Sequence, residues 1–410
     1  MNDPRTAIIV GAGQAGRWLA LTLRADGFTG RIVWFGDEPH KPYDRPPLSK
    51  AVLKGETALD RMALLPGEAF DKLATEWHPG VAVTAVDRTR RIVATQDGRE
   101  FGYDLLFLAC GGRARTLPGL PVHPRVHTLR TWDDAVALKA GIEAARRVIV
   151  IGGGWIGLEV AASARLLGRE VTVVEAAERL CMRTVPAVVS EHLRALHERH
   201  GIVLRLGAPV RGVQVDDAGV RVDVAGGEPL HGDLLVVGIG LVAHDGLAAA
   251  AGLATAGGVL TDAWGRTEDP AVFAVGDVAT ERRDGARQRI ESWEHAQRQA
   301  QAAAKAALGL PHDPDAEGPP WFWSDQYDDN LQLLGLPDAT MDLVERHDPA
   351  KRQRLFFFCR DGQVRALAAV NGGREIKIVR KWMRERRFPT AAALADTGTE
   401  LNKLPLVAAV

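Results

Sequence analysis

Thr6–Gly16 reads TAIIVGAGQAG, and the reading of this stretch decides the fold. The apolar run Ala7–Val10 breaks into Gly11-Ala-Gly13-Gln-Ala-Gly16, and a helical pattern opens behind it with Trp18, Leu19 and Leu23. Strand, glycine turn and helix in that order are the elements of a dinucleotide site. Gly11 permits the tight turn, Gly13 lets the backbone approach a pyrophosphate, and Gly16 lets helix and strand pack closely. Free N–H groups at the helix start then face the phosphate charge. A lone GxGxxG is weak evidence. Arg147–Glu159, RVIVIGGGWIGLE, repeats the pattern with Gly152, Gly154 and Gly157 in the glycine places. Two such loops in one chain predict two dinucleotides held at once.

Composition frames this reading. A chain of 410 residues exceeds one ordinary core and predicts two or three domains. Hydrophobic residues at 46% and charged residues at 25% suit a globular protein. A net charge of −1 implies no bulk polyelectrolyte partner, so no nucleic acid is expected. Cys110, Cys181 and Cys359 are far apart and form no CxxC, which predicts neither a metal site nor a redox dithiol. So few cysteines fit a reducing compartment. With no signal-peptide pattern and no bilayer-length apolar run, a cytoplasmic protein without membrane association is expected.

Outward from the first loop, a helix is expected from about Gln14 to Asp26, ended by Gly27. The strand Arg31–Phe35 follows and ends at Gly36-Asp37-Glu38. An acid there commonly takes a ribose hydroxyl, so Asp37 or Glu38 reads as the ribose ligand of the first nucleotide. Lys41–Lys50, KPYDRPPLSK, carries three prolines and is stiff, with a new helix expected at Ser49-Lys50. Strands are expected over 80–86, 91–95 and 104–109, the last running into Gly111-Gly112. The stretch 113–130 reads as a crossing between domains.

Behind the second loop, a helix from about Trp155 to Leu167 and the strand Val171–Val174 lead to Glu175. A carboxylate there binds a 2′-OH and repels a 2′-phosphate, which favours NAD over NADP. Ala176 and Ala177 follow it, not an arginine. Leu234–Gly240 is a second buried strand ending in glycines, and Ala271–Asp277 brings Asp277 to a sheet's carboxyl end, where ligands lie. Ser292 reads as N-cap of a helix running to Leu308. A linker over 310–320 opens a third module of about ninety residues. It contains a hairpin around Asp361-Gly362 and a helix with Ile378, Val379, Trp382 and Met383 on one face.

Taken together, GAGQAG, GDEPHKPYDRPPLSK, GGGWIGLE, VGIGL, FAVGD, RIESW and PWFWSDQY resemble the NADH-dependent ferredoxin reductases, flavoproteins that feed bacterial Rieske oxygenases and cytochromes P450. The resemblance runs from about Ala7 to Leu404, and its PYDRPPLSK and WFWSDQY strings are far more specific than either glycine loop. It implies an α/β fold like glutathione reductase: two Rossmann-like dinucleotide-binding domains plus a small α/β C-terminal domain. The FAD domain is then split over 1–112 and 241–318, the NAD domain spans 113–240, and the C-terminal domain spans 319–410. Carried onto matching positions, the resemblance implies FAD contacts at Gly11, Gly13, Ala15, Gly16, Asp37, Lys50, Val83, Arg130, Asp277 and Trp293. It implies NADH contacts at Gly152, Gly154, Ile156, Gly157, Glu159, Glu175, Arg183 and Gly240. It also implies a catalytic Lys–Glu pair, Lys50 and Glu159, beside the reactive face of the flavin.

The chemistry fits independently. NADH delivers two electrons as a hydride and an iron–sulfur cluster takes one at a time, so a flavin belongs between them. The expected activity is electron transfer from NADH through FAD to an acidic, transiently bound [2Fe–2S] ferredoxin serving an oxygenase. The alternative is an NADH-dependent reductase or oxidase of a small acceptor such as a quinone, semidehydroascorbate or O2. Thiol chemistry is not expected, because no cysteine precedes Cys110. The cations Lys377, Arg380, Lys381, Arg384, Arg386 and Arg387, set against Glu385 alone, are a candidate docking face for the acidic partner. Three places depart from the family pattern: Val242–Asp245, Glu294 beside Trp293, and Trp155 in the second loop. Glu294 would oppose the charge of a reduced flavin unless it points to solvent, and Trp155 is either a flavin shield or a packing residue.

Overall fold

The structure is a computed structural model and describes residues 3–283, 285–314, 316 and 318–408. Two positions of the expected linker, 315 and 317, therefore lie outside the described residues. The chain forms two compact units: Met1–Asp44, Leu59–Arg113 and Leu241–Glu317, and Arg45–Ala58, Ala114–Gly240 and Gly318–Val410.

The first unit is built on a parallel five-stranded sheet in the order Val272–Ala274, Leu105–Leu108, Thr6–Val10, Arg31–Gly36, Glu76–Pro79. Its inner strands are near-continuous apolar runs because both faces are covered. On one face the helix Gln14–Ala25 packs on the helix Trp293–Ala307, whose buried Ala300, Ala303 and Ala304 allow close approach. Ser292 takes the N-cap position of the latter, as expected, but its side chain makes no capping bond to the helix. The strand expected over 80–86 forms only from Val83 to Asp87, in a small antiparallel sheet, and a strand the sequence reading lacked, Glu76–Pro79, precedes it in the parallel sheet. Gly80, at φ +67, turns the chain between them.

The second unit repeats the parallel pattern, in the order Val203–Arg205, Glu170–Val174, Arg147–Ile151, Leu234–Val237, Val126–His127. Beyond it, an antiparallel sheet runs Trp321–Gln326, Asp329–Leu334, Gln363–Val370, Gln353–Arg360, Asp342–Asp348. Leu158, Ala161 and Val173 share one apolar cluster with Leu331, Phe356 and Ala368, which joins the two sheets in one body. The expected hairpin forms, with Asp361 and Gly362 both left-handed at φ 52 and 70, as a two-residue turn of its type requires. The helix Gly373–Glu385 buries Ile376, Val379 and Trp382, while Ile378 and Met383 are only half-buried. No helix starts at Ser49-Lys50. A 3-10 turn, Pro46–Ser49, ends there instead: Pro46 and Pro47 supply no N–H, and Leu48 N donates to Arg45 O and Lys50 N to Pro47 O, three residues back. No described helix is long and apolar enough to cross a membrane.

Candidate functional site

The two glycine loops have nearly the same backbone. Gly11 has φ +118 and donates its N–H to Phe35 O at 2.9 Å; Gly152 has φ +111 and donates to Val174 O at 2.8 Å. A Cβ on Gly11 would lie 2.2 Å from Ala109 O, and one on Gly152 2.4 Å from Gly238 O. Gly16 and Gly157 touch their own loops: an added Cβ would lie 2.0 Å from Gly11 O and from Gly152 O. Gly13 and Gly154, by contrast, are ordinary extended N-caps with nothing within 4 Å of an added Cβ.

This geometry fits two dinucleotides. Neither helix has a side-chain cap or an acid in its first turn, so the helix-start N–H groups are left to an anion. On the first helix, both polar atoms of the Gln14 amide are buried without a partner. Around this loop the first unit gathers Ala15, against which Gly276 stacks, and thereby Asp277. Trp293 starts the neighbouring helix and donates from its indole to Asp44 at 2.7 Å. Val83 packs half-buried against the cluster holding Val10 and Phe35. Of the two candidate ribose acids, Glu38 accepts from the Tyr43 hydroxyl at 2.6 Å, while Asp37 stands exposed at the end of its strand.

In the second unit, Glu175 bends back over its loop and accepts from Gly153 N at 2.6 Å and Ala177 N at 2.8 Å. Gly153 is needed for this, since a Cβ there would press on Leu180 and on the Glu175 stem. Ile156 is exposed in the first helical turn, and Arg183 lies against Gly240, 3.2 Å from where a side chain would begin. The second unit also holds Lys50 and Arg130. The Arg130 backbone is pinned by Asp134 at its N–H and by Arg45 at its carbonyl.

Lys50 and Glu159 meet, Nζ to Oε1, at 3.0 Å. Glu159 is only 3% exposed, so its charge needs further partners. Ser324 supplies one at 2.6 Å and Ser49 another. Neither serine was read as functional from the sequence. The available signal was polar Ser324 and Gln326 two residues apart in strand Trp321–Gln326, on either side of the exposed Asp325, which puts both on the buried face.

The departures resolve locally. Glu294 is paired with Arg298 at 3.0 Å, so its charge is compensated. Trp155 packs on Phe322, ring centroids 4.9 Å apart. In the Val242–Asp245 stretch, Leu241–Ala243 is a short strand and His244 N donates to Gly111 O. All three cysteines are unpaired, and burial disfavours their thiolates: Cys110 is pushed up to about 12, and Cys181 and Cys359 are raised as well.

Two open glycine cradles in parallel α/β sheets, without a reactive thiol, define a dinucleotide-dependent oxidoreductase. The pyridine nucleotide-disulphide oxidoreductase family matches residues 5–300, and a reductase C-terminal domain matches residues 321–405. The chain is similar to the reductase in a covalent putidaredoxin reductase–putidaredoxin complex, at 34% identity over 98% of each chain with a TM-score of 0.92. It is similar to the ferredoxin reductase for the CYP199A2 system of Rhodopseudomonas palustris, at 36% identity over 97% of this chain and 99% of that one, with a TM-score of 0.91. A protein called Fdr9 matches at 32% identity over 97% and 99%, with a TM-score of 0.85. The chain belongs to the pyridine nucleotide-disulphide oxidoreductase family, and its cofactors are FAD and NAD(H).

Proposed function

We propose that this protein carries electrons from NADH through FAD to a [2Fe–2S] ferredoxin that serves an oxygenase, in the cytoplasm. The reading is carried by the pair of uncapped glycine cradles in a chain whose cysteines are all held as thiols. In this reading the FAD domain is 1–112 with 241–318, the NAD domain 113–240 and the C-terminal domain 319–410. Gly11, Gly13, Ala15, Gly16, Asp37, Val83, Asp277 and Trp293 hold FAD, with Lys50 and Arg130. Gly152, Gly154, Ile156, Gly157, Glu159, Glu175, Arg183 and Gly240 hold NADH.

FAD held there would supply the chemistry that links a two-electron hydride donor to a one-electron acceptor. The chain's own contribution is placement and charge. The Gly13 and Gly154 N-caps admit the pyrophosphates, and Glu175 selects a free ribose 2′-OH. The Lys50 ammonium, held by Glu159, and the N-terminus of helix Trp293–Ala307 favour the extra electron density of a reduced cofactor.

The partner is acidic and binds transiently. Supporting this, Lys377, Lys381 and Arg384 lie exposed on one helix, with Arg386 and Arg387 just beyond it, and only Arg380 is half-buried. Two assays test the reading. NADH should bleach the flavin absorbance anaerobically, and NADH-driven cytochrome c reduction should depend on added [2Fe–2S] ferredoxin. Equal rates without ferredoxin would favour a small acceptor instead. The double variant Arg384→Glu, Arg387→Glu should raise the ferredoxin KM roughly tenfold and leave ferricyanide reduction unchanged. An equal loss with both acceptors would remove this face from docking.

A further inference from the structure

A line of buried polar groups runs from Glu159 into the antiparallel sheet, where simple packing would not need them. Glu159 Oε1 accepts from Lys50 Nζ at 3.0 Å and from Ser324 Oγ at 2.6 Å, and Oε2 accepts from Ser49 Oγ. Gln326 Nε2 lies 3.0 Å from Ser324 Oγ, and His197 Nε2 lies 2.7 Å from Gln326 Oε1. Glu159, Ser324, Gln326 and His197 are all buried. Ser163 ties the other end, donating to Ser49 O at 2.7 Å and so fixing the Lys50 segment to the helix that bears Glu159.

The direction of the chain follows from proton counting. Ser324 has one hydroxyl proton and two polar neighbours. At 2.6 Å from a carboxylate oxygen, that proton lies toward Glu159. Ser324 therefore accepts from the Gln326 amide, whose oxygen then faces His197. The His197 Nε2 must carry a hydrogen to donate to it. Burial keeps the ring neutral, its pKa lowered to about 4, which leaves Nδ1 bare. Nδ1 has no hydrogen-bond partner, which agrees. Each donor thus points from His197 toward Glu159.

We propose that His197, Gln326 and Ser324 are positioning residues: a one-way relay that fixes the Glu159 carboxylate and, through it, the Lys50 ammonium. The antiparallel sheet thereby sets the charge presented to the flavin. This rests on the placement of Lys50 at the flavin proposed above.

A double-mutant cycle on the flavin midpoint potential, titrated with dithionite and redox dyes and without NADH, tests it. Ser324→Ala should change the reduced-to-oxidised ratio at fixed potential roughly threefold, about 14 mV for two electrons. Ser324→Thr, which keeps the hydroxyl, should restore it. In the Lys50→Met background the Ser324→Ala shift should vanish, because the two residues act through one carboxylate. The same shift in both backgrounds, or none in either, would overturn the proposal. A second readout needs no variant that might misfold: nitrogen NMR of the unmutated protein should show His197 as the neutral Nε2–H tautomer at pH 7. An Nδ1–H tautomer or a charged ring would reverse the chain and overturn it too. Bleaching by NADH enters neither readout, so failure of the electron-transfer reading shows up separately.

Discussion

The two glycine cradles are near-copies in backbone and differ in everything that surrounds it. Pairing in the sheets makes Gly36 the counterpart of Glu175, since Arg31 pairs with Thr6 as Glu170 pairs with Arg147. The first cradle thus has glycine where the second has its acid. A Cβ on Gly36 would meet Trp77 at 2.7 Å and Ala12 at 2.9 Å. The second cradle exchanges these roles, with Gly153 in the place of Ala12 making room for the Glu175 stem. Their outer supports differ as well. The first helix packs on the alanines of Trp293–Ala307, while the second meets the antiparallel sheet through Phe322 and the polar chain at Ser324. A shared backbone therefore sets where a pyrophosphate goes, and the unshared neighbours decide which nucleotide follows and how firmly it is held.

The largest effects should come from the open glycines. Gly13 and Gly154 have φ of −86 and −85 and empty space around a Cβ, so alanine fits the protein at both. Only a ligand would object. Gly154→Ala should weaken NADH binding by about 100- to 1000-fold and leave the flavin colour intact, while Gly13→Ala should yield a flavin-poor protein of normal fold. Flavin content by absorbance and NADH titration read the two apart. If each variant lost both cofactors equally, the cradles would not be separate sites.

Next in size is a difference in acid stability. His197 has its pKa lowered to about 4 by burial. Between pH 6.5 and 4 an unfolded chain takes up a proton that folded His197 refuses, so stability is complete above pH 6.5 and is lost as pH falls toward 4. The full loss is about 3 kcal/mol. Denaturant unfolding from pH 7 to pH 4 should show that drop, and His197→Gln, which keeps a donor toward Gln326, should flatten it. Unfolding with the same pH slope in both proteins would remove His197 as the cause.

The acids give a smaller effect. Glu175→Ala removes the carboxylate expected to accept the ribose hydroxyls and should raise the NADH Kd about 30-fold, roughly 2 kcal/mol. NADPH should lose much less, having gained nothing from that charge. An unchanged NADH-to-NADPH preference would place the ribose elsewhere.

How much of this was legible in the sequence follows the length scale of each interaction. Both cradles were readable because Gly11, Gly16, Gly152 and Gly157 are each required by contacts within a few residues or one strand away. The hairpin at Asp361-Gly362 was readable for the same reason. The Lys50–Glu159 pair came only from the resemblance, since nothing local links residues 109 positions apart. Of the clamp on Glu159, only the alternating polar positions Ser324 and Gln326 left a trace in the sequence; what they hold was not readable, because Ser49 and Ser324 reach Glu159 only when Pro46–Ser49 and strand Trp321–Gln326 each pack on helix Trp155–Leu166. Element boundaries were misread at proline and glycine, where a helix was expected to start after Pro46–Ser49 and a strand was expected to run on from Gly80. The offset between Asp37 and Glu175 needed sheet register, which spacing along the chain does not encode.

The smallest expected effect concerns Glu294, an acid one residue inside the helix that Trp293 begins. An isolated carboxylate there would work against the helix dipole's effect on a reduced cofactor. Arg298, one turn on, pairs with it at 3.0 Å, and both side chains are largely shielded, at 15% and 13% exposure. Shielding strengthens the pair and also makes each partner costly to leave alone. Arg298→Ala should therefore lower the flavin midpoint potential by about 20 mV, equivalent to roughly 1 kcal/mol over two electrons. Glu294→Gln should move it the opposite way, and the double variant should fall near the parent. Neither cradle helix carries an acid in its own first turn, so no compensating arginine is needed at either. A potential indifferent to Arg298 would mean that this helix does not direct its positive end at the flavin, and the first cradle would then hold FAD by its glycines alone.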